Sequence, residues 1–382
     1  MASKLRLNYL PEVVALCLSR RKPRMVSVNL TSRCNQHCIY CEIGQCHTRG
    51  PVRALAYEEM GWLIGEMQRH RIPKLSLCGG EPLLHPDLVR VINLAGQHQI
   101  RCSITTNGMA ASSLEDADLD VLRKYGTEIN VSIDSFREEV QSYTRGVEGS
   151  VGKGLAAVDR FRKAGLSVTI LTVITRFNYR DLAGFVREAD RRGIRQVLFQ
   201  PVIRSSNYPD MQAVADKAGL NIDPSCVDEL LEILREILAY EKQHPIRTNS
   251  YRLVPWIGAY LRHTEQEGGW FFNSVLPAFY CRETDAIIEI GYDGGIQGCG
   301  LAPSTIMIQN ANGEDLLTLW HRATGPLRED IRKRKYHAMC NGCCHHFSRN
   351  MLASVFRHPW KNRTMLIKLF PLAVNRLASR IM

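Results

Sequence analysis

The octapeptide CNQHCIYC, residues 34–41, places three cysteines within eight positions, with a tyrosine immediately before the last one. The preceding segment MVSVNLT, residues 25–31, has the alternating pattern of a strand, so the cysteines are predicted to lie in a loop where a strand ends. Three thiols this close together are typical of a metal centre. They can bind three irons of a [4Fe–4S] cluster, which leaves the fourth iron free for another ligand. A zinc site completed by Cys46 or His37, or three structural thiols, remain alternatives.

Apolar runs alternate with amphipathic stretches after this loop. The predicted strands are 25–31, 75–78, 101–106, 129–134, 166–175 and 197–202, and the predicted helices are 57–70, 86–98, 114–125, 151–164 and 179–192. Buried strands separated by helices indicate βαβ units and a parallel sheet, so the fold class is α/β. Six strands in about 180 residues are too few for a complete eight-stranded barrel, which needs roughly 250 residues. A doubly wound sheet remains an alternative on this pattern.

Unusual polar and glycine-rich residues follow the predicted strands. The second strand leads into CGGEP at residues 78–82, the third ends in TNG at 106–108, and the fourth ends at Asp134. Because ligands of such folds bind beyond the carboxyl ends of parallel strands, these residues and the cysteine loop are predicted to share one edge. Two adjacent glycines, Gly79 and Gly80, would let the backbone approach a ligand closely.

The C-x3-C-x2-C motif with its tyrosine, followed about 40 residues later by GGEP, resembles the radical S-adenosylmethionine (SAM) superfamily over roughly residues 25–205. The resemblance implies a partial (β/α)6 TIM-type barrel in which Cys34, Cys38 and Cys41 hold a [4Fe–4S] cluster that binds SAM. It also implies reductive cleavage of SAM to a 5′-deoxyadenosyl radical, which takes hydrogen from a substrate, and a reducing partner such as flavodoxin or ferredoxin.

The resemblance further implies contacts between SAM and residues at the strand ends. The aromatic Tyr40 matches a position near the adenine, and Glu81 of the GGEP segment matches one near the amino group. The other residues carried over are Gly79, Gly80, Thr106, Asn107, Ser132 and Asp134. On the residues alone, TNG is equally typical of a turn, and Asp134 of a helix cap.

A second set of cysteines lies near the carboxyl terminus. Cys281 and Cys299 flank IIEIGYDGGIQG, which predicts a β-hairpin, and Cys340 begins CNGCC at residues 340–344. This arrangement resembles the auxiliary-cluster modules called SPASM and twitch, and implies a second [4Fe–4S] cluster in a small module of hairpin plus helix. Its fourth ligand is Cys343, with Cys344 as the alternative. A zinc ribbon fits the spacing equally well.

Five segments follow from these features: a basic extension at 1–24, the barrel at 25–205, a helical insertion or lid at 206–275, the auxiliary module at 276–347 and a tail at 348–382. The net charge of +11 resides in the end of the chain, because residues 331–382 contain eleven Lys and Arg and no Asp or Glu. Within the tail, residues 365–382 set an apolar helical face opposite basic residues. This pattern predicts peripheral contact with the inner membrane surface, with a docked helix as the alternative. No nucleic-acid partner is expected, because aromatic platforms for bases are sparse.

The leading functional hypothesis is therefore a cytoplasmic radical SAM oxidoreductase or epimerase. Its substrate is expected to be a small polar molecule, such as a sugar or cyclitol, in free or lipid-linked form. Epimerisation requires a hydrogen donor, for which Cys102 and Cys226 are the candidate thiols. The alternative is a maturase that modifies a ribosomal peptide, although only 33 residues precede the motif here. An iron–sulfur carrier or a zinc scaffold would leave GGEP unexplained.

Overall fold

The computed structural model describes residues 23–41, 43, 51–203, 219–262, 281, 283–300, 304–311, 313–337, 340 and 343. The described strands are β1 Met25–Asn29, β2 Lys74–Cys78, β3 Arg101–Thr106, β4 Glu128–Ser132, β5 Ser167–Ile174, β6 Gln196–Pro201, β7 Arg247–Thr248, β8 Ile287–Ile290, β9 Gly295–Gln297 and β10 Ser304–Met307. The described helices are α1 Tyr57–Arg69, α2 Leu88–Gln97, α3 Asp116–Lys124, α4 Glu138–Arg145, α5 Ser150–Lys163, α6 Leu182–Arg191, α7 Val227–Tyr240, α8 Ser250–Leu253, α9 Ile257–Arg262, α10 Glu283–Ala286 and α11 Leu316–Arg332.

All ten strands belong to one sheet, in the order β10-β9-β8-β1-β2-β3-β4-β5-β6-β7. From β8 through β7, every neighbouring pair is parallel, whereas β9 and β10 are added antiparallel. The strands from β1 to β7 follow one another without a reversal of order. A doubly wound sheet has such a reversal, so the topology is that of a partial barrel and the predicted fold class is confirmed.

The two faces of the sheet differ in chemistry. One face carries buried aliphatic side chains, including Val26, Val28, Leu75 and Leu77, which join the core formed with the helices. The alternate residues point to the opposite side because side chains alternate along a strand. We call this opposite side the inner face, and define it by Ser27, Asn29, Ser76, Cys78, Asn130, Ser132 and Glu289, all of which are partly exposed.

Four strands extend the sheet beyond the six predicted for the barrel: β7 at one edge, and β8, β9 and β10 at the other. The two-residue strand β7 pairs with β6, and β8 pairs with β1 in register, Ser27 beside Glu289. The predicted hairpin is present as β8 and β9, but its first strand continues the barrel sheet. The short β7 has no periodic pattern, and the β8–β1 pair joins segments about 260 residues apart, so neither is visible in the local sequence.

The described part of the predicted insertion or lid packs on the outside of the barrel. Helix α7 buries Leu230, Leu234 and Ile237, and its Glu229 accepts hydrogen bonds from Tyr179 and Arg180 beside α6. Residues 204–218 and 263–280 lie outside the described part of the chain.

Helix α11 packs the C-terminal segment against the barrel. Its Leu319 and Trp320 are fully buried, and Arg328 forms an ion pair with Asp285 at 2.8 Å. At its N-terminus, Asp315 caps the helix and Glu66 of α1 accepts from the amide of Leu316. Over the described ranges, no helix is both long and apolar enough to cross a bilayer. Residues 1–22 of the basic extension and the whole tail at 348–382 lie outside the described residues.

Candidate active site at the carboxyl ends of the strands

The cysteine loop is held on both sides by backbone hydrogen bonds. On one side, Gly80 donates to the carbonyl of Thr31 at 2.6 Å and Glu81 donates to that of Arg33 at 2.7 Å. On the other side, His37 and Ile39 donate to the carbonyls of Arg145 and Thr144, each at 3.0 Å. The loop is therefore clamped between the end of β2 and the end of α4, at the edge of the sheet where the motif was predicted to lie.

The three thiols of this loop share one site. Cys41 is close enough to Cys34 and Cys38 to raise the pKa of both thiols, and Cys34 adds to the shift at Cys38. Each thiolate of such a set can bind a different iron of a four-iron cluster, so the donor set fits a cluster with one iron left for another ligand.

Burial keeps these thiols protonated without a metal. It raises the pKa of Cys34 to about 11 and that of Cys38 to about 12, while the nearby guanidinium of Arg145 opposes the shift at Cys38. Iron binds the thiolate form, so loading a cluster has to displace these protons. The pocket is therefore suited to thiolates whose negative charge is compensated by bound iron.

The glycines of GGEP serve a contact between two segments of the protein. A Cβ at Gly80 would lie 2.1 Å from the carbonyl oxygen of Arg33, and one at Gly79 would lie 2.8 Å from that of Thr31. Gly79 also has φ +120°, which L residues rarely adopt. The predicted close approach is therefore real, but what approaches is the cysteine loop.

Glu81 links three neighbouring segments from a buried position. It is 1% exposed, and its carboxylate accepts from the hydroxyl of Thr106 at 2.5 Å, the amide of Asn107 at 2.8 Å and the amide of Leu83 at 3.0 Å. Burial raises the pKa of Glu81 to about 7. These donors join Glu81 to the segments on either side of it, so Glu81 supports the loop from within the protein. Its contact with the amino group of SAM stays a prediction.

Asn107 extends this brace to the cysteines. Its side-chain amide donates to the Oδ1 of Asn35 at 2.7 Å and lies 3.8 Å from the Sγ of Cys34. The TNG segment thus supports the first cysteine directly, a role that neither the turn nor the SAM-contact hypothesis anticipated. Ser132, by contrast, is partly exposed on the inner face, where a ligand can reach it.

Asp134 is a buried acceptor of several hydrogen bonds, which is a role that neither of its predicted roles included. Its side chain is 0% exposed and accepts from the Nε and Nη2 of Arg145, each at 2.8 Å, and from the amide of Val173 at 2.8 Å. The hydroxyl of Tyr40 donates to the same carboxylate. Both carboxylate oxygens thus accept from protein groups, and Tyr40 is anchored through its hydroxyl. The contact of Asp134 with SAM stays a prediction.

The two thiols predicted as hydrogen donors lie away from the inner face. Cys102 is 2% exposed and pairs in register with Leu75, on the side of the sheet that packs against the helices. Cys226 precedes α7 on the outside of the barrel, 4.0 Å from Arg180. Neither position faces a ligand held inside the barrel.

Sequence reasoning missed a third thiol, Cys78, which does lie on the inner face. Its Sγ is 3.4 Å from the Oδ1 of Asn29 and 3.7 Å from the hydroxyl of Ser27. Burial raises the pKa of Cys78 to about 12, and the nearby Glu289 adds to that shift. Glu289 itself has a pKa raised by burial to about 7, opposed by a hydrogen bond with Ser27. Strand alternation could have predicted this position. In the strand Lys74–Cys78, residues 74, 76 and 78 lie on one face, opposite the buried Leu75 and Leu77.

The C-terminal cysteines also approach one another. Burial raises the pKa of Cys281 well above its usual range, and Cys340 and Cys299 are close enough to add to the shift. Cys343 follows in the turn closed by its amide and the carbonyl of Cys340, at 3.4 Å. Cys344, the alternative ligand, lies outside the described residues.

Comparison with known proteins identifies this architecture. Residues 28–189 match the family model of the radical SAM superfamily. The chain therefore carries a radical SAM domain. This confirms the predicted resemblance to the radical SAM superfamily, whose members use SAM and a [4Fe–4S] cluster.

Two curated relatives of this radical SAM protein act on different molecules. An AdoMet-dependent heme synthase of Methanosarcina barkeri is 30% identical over 161 residues, which are 42% of this chain and 45% of the relative. A probable GTP 3′,8-cyclase of Methanopyrus kandleri is 27% identical over 319 residues, 78% of this chain and 88% of the relative. The chain thus spans less than half the length of that heme synthase but most of the cyclase.

Solved structures share the fold at low identity. Native anSMEcpe with bound AdoMet has a TM-score of 0.62 at 14% identity, covering 92% of this chain and 100% of that one. SuiB of Streptococcus suis bound to precursor peptide SuiA has a TM-score of 0.60 at 16% identity, covering 84% of this chain and 70% of that one. At these identities the likeness establishes the fold alone.

Proposed function

We propose that this radical SAM protein cleaves SAM reductively at a cluster held by Cys34, Cys38 and Cys41 and takes a hydrogen atom from a small polar substrate. When bound, the cluster and SAM supply a 5′-deoxyadenosyl radical. The protein's part is to hold the cluster, orient the substrate and limit where the radical reacts. The observation that carries the proposal is a polar inner face that opens beside the cysteine loop.

The chemistry of the inner face suits a molecule rich in hydroxyl groups. Ser27 and Asn29 on β1 and Asn130 on β4 offer hydroxyl and amide partners, and Glu289 offers a carboxyl group. Polar groups of this kind fix orientation when apolar contacts are few. A sugar or cyclitol, free or attached to a lipid, satisfies this pattern.

The position of Cys78 favours return of hydrogen to the substrate, as in epimerisation, over simple oxidation. A thiol on the inner face can give its hydrogen atom to a carbon radical formed on a substrate in the same space. The substrate regains a C–H bond, the S–H bond is lost, and the sulfur radical is then reduced by a one-electron donor of the flavodoxin or ferredoxin class. Glu289 lies near Cys78 and could supply the proton that restores the thiol after the sulfur radical is reduced.

We further propose that Cys281, Cys299, Cys340 and Cys343 hold a second [4Fe–4S] cluster. Their mutual approach and their burial support a shared metal site. Four thiolates would saturate such a cluster, which is suited to electron transfer to or from the substrate radical. A structural zinc ribbon is the competing assignment.

A peptide-modifying function is the second candidate. Mycofactocin maturase MftC of Mycobacterium ulcerans is 28% identical over 177 residues, 45% of each chain. An added peptide would have to enter between the cysteine loop and the inner face, as a small molecule does. A radical assay with candidate sugars and with candidate peptides distinguishes the two.

The proposed function predicts 5′-deoxyadenosine and methionine from SAM after anaerobic purification and reduction. Iron and sulfide analysis should give about eight of each per chain if both clusters are full. A polar substrate should raise the yield of 5′-deoxyadenosine above the basal yield. Iron-loaded protein that never cleaves SAM under reducing conditions would overturn the proposal.

The tail supports a further proposal, that the protein binds reversibly to anionic membranes. The tail lies outside the described residues, so the argument rests on its sequence: seven basic and no acidic residues at 348–382. Each basic group near an anionic leaflet contributes about 1 kcal/mol, and this effect is screened by salt. Full-length protein should therefore float with anionic liposomes at low salt and less at high salt.

A protein ending at Arg357 should keep its iron and lose this flotation. Neutral liposomes provide the control, because they remove the electrostatic contribution. Absence of full-length protein from the anionic liposome fraction at low salt would contradict membrane binding and favour a docked tail helix.

A further inference from the structure

A buried ion pair lies directly against the middle cysteine of the loop. Arg145, at the end of α4, is 8% exposed and Asp134 is 0% exposed, so the pair is almost completely shielded from water. Two nitrogens of the guanidinium, Nε and Nη2, face the carboxylate at 2.8 Å. The third, Nη1, faces the Sγ of Cys38 at 3.9 Å.

The orientation of this ion pair gives it a dipole that points toward Cys38. The positive guanidinium is between the carboxylate and the sulfur, so the positive end of the pair faces Cys38. Interactions in a buried site are weakly screened, and a nearby charge there acts strongly. The pair thus presents net positive potential to the sulfur even though its total charge is zero.

The same residues also fix the position of the loop. The carbonyl of Arg145 accepts from the amide of His37 at 3.0 Å, and Tyr40, between Cys38 and Cys41, donates to Asp134. Gly146, which ends α4 with φ +68°, passes so close that a Cβ would lie 2.5 Å from the carbonyl oxygen of His37. These three contacts therefore converge on the segment around Cys38.

We propose that Arg145, oriented by Asp134, is a positioning residue that holds the Cys38 ligand and raises the reduction potential of the cluster in this loop. Reduction adds negative charge to an iron–sulfur cluster, and hydrogen bonds and positive charge at its sulfurs favour the reduced form. The inference rests on the proposed cluster at Cys34, Cys38 and Cys41. It assigns a role to residues that the cysteine motif does not include.

The test is the midpoint potential of the cluster, measured by EPR in a redox titration of the protein without SAM. The signal that changes when SAM is added to a parallel sample identifies this cluster. In Arg145→Met/Asp134→Asn both buried charges are removed together, so no unpaired charge is left. We expect a midpoint potential below that of the wild type in this double variant, and one above it in Asp134→Asn alone. Arg145→Lys, which keeps the charge, should stay nearer to the wild type.

Arg328→Met is the matched control, because Arg328 is a buried arginine paired with Asp285 in the C-terminal segment. It should leave the midpoint potential of the SAM-sensitive cluster unchanged. A double variant that binds iron and keeps the wild-type potential, or an equal shift in Arg328→Met, would overturn the proposal. Wild-type protein without any SAM-sensitive cluster would instead overturn the proposed function.

Discussion

Simultaneous replacement of Cys34, Cys38 and Cys41 by alanine is expected to abolish reductive cleavage of SAM and to leave about four irons on the protein. The first effect follows because no other described group next to the GGEP turn offers three thiolates. The second follows because the proposed auxiliary ligands, Cys281 among them, approach one another in a separate segment. The measurements are 5′-deoxyadenosine yield, iron and sulfide content, and visible absorption.

The control for this experiment is Cys102→Ala/Cys226→Ala. Both of these thiols lie outside the two proposed cluster sites, so the double variant should keep all of its iron and its SAM cleavage. 5′-Deoxyadenosine formed by the triple variant at the wild-type rate would show that the loop does not hold the active cluster. One zinc and no remaining iron–sulfur absorption would replace the auxiliary cluster with a zinc ribbon.

The local pattern of the sequence was sufficient to predict the barrel. Strand β1 was predicted at 25–31 and is present as Met25–Asn29, and helix α1 was predicted at 57–70 and is present as Tyr57–Arg69. Both segments have the periodicity of their structure, and neither needs a distant partner to be recognised. The order of the strands was the missing part, because pairing is decided by contacts between segments far apart in the chain.

The roles of the carboxylates could not be predicted in the same way. Glu81 and Asp134 were correctly expected at the ends of strands, but their hydrogen-bond donors lie up to 39 residues away, at Val173. A short motif specifies where a carboxylate is, whereas its partners depend on how α4 and β5 pack around it. Helix α4 itself was not predicted, so its Arg145 could not be connected to the cysteine loop.

Cys78 was overlooked for a related reason. It is the first residue of CGGEP, and the motif drew attention to the residues after it. The sheet register shows that its thiol belongs to the polar face, because Asn29 pairs with Cys78, and Ser27 pairs with both Ser76 and Glu289. We therefore propose Cys78, in place of Cys102 and Cys226, as the candidate hydrogen donor.

Deuterium from the solvent is expected in 5′-deoxyadenosine when the wild-type protein cleaves SAM in D2O without substrate. Thiol hydrogens exchange with solvent, whereas carbon-bound hydrogens do not. A primary carbon radical takes hydrogen from a thiol readily, because the S–H bond is weaker than the C–H bond that forms. The pKa of Cys78, raised by burial to about 12, keeps this thiol protonated at neutral pH.

The transfer forms one C–D bond in 5′-deoxyadenosine and breaks one S–D bond at Cys78. The sulfur radical that remains is reduced by the one-electron reductant already present in the assay and takes a deuteron from the solvent. Mass spectrometry of the 5′-deoxyadenosine measures the fraction that carries one deuterium. Most of the product should be labelled if Cys78 is the nearest hydrogen donor in the empty site.

Cys78→Ser is the decisive variant, since a hydroxyl is similar in size but its O–H bond is too strong to give hydrogen to this radical. It should form 5′-deoxyadenosine with little deuterium, whereas Cys102→Ala, which alters a thiol on the helix side of the sheet, should keep the label. Persistence of the label in Cys78→Ser would assign the hydrogen to another group. Unlabelled product from the wild type would exclude Cys78 as the donor, and would shift the balance of the proposed reaction from epimerisation to oxidation, with the C-terminal cysteines as the destination of the electron.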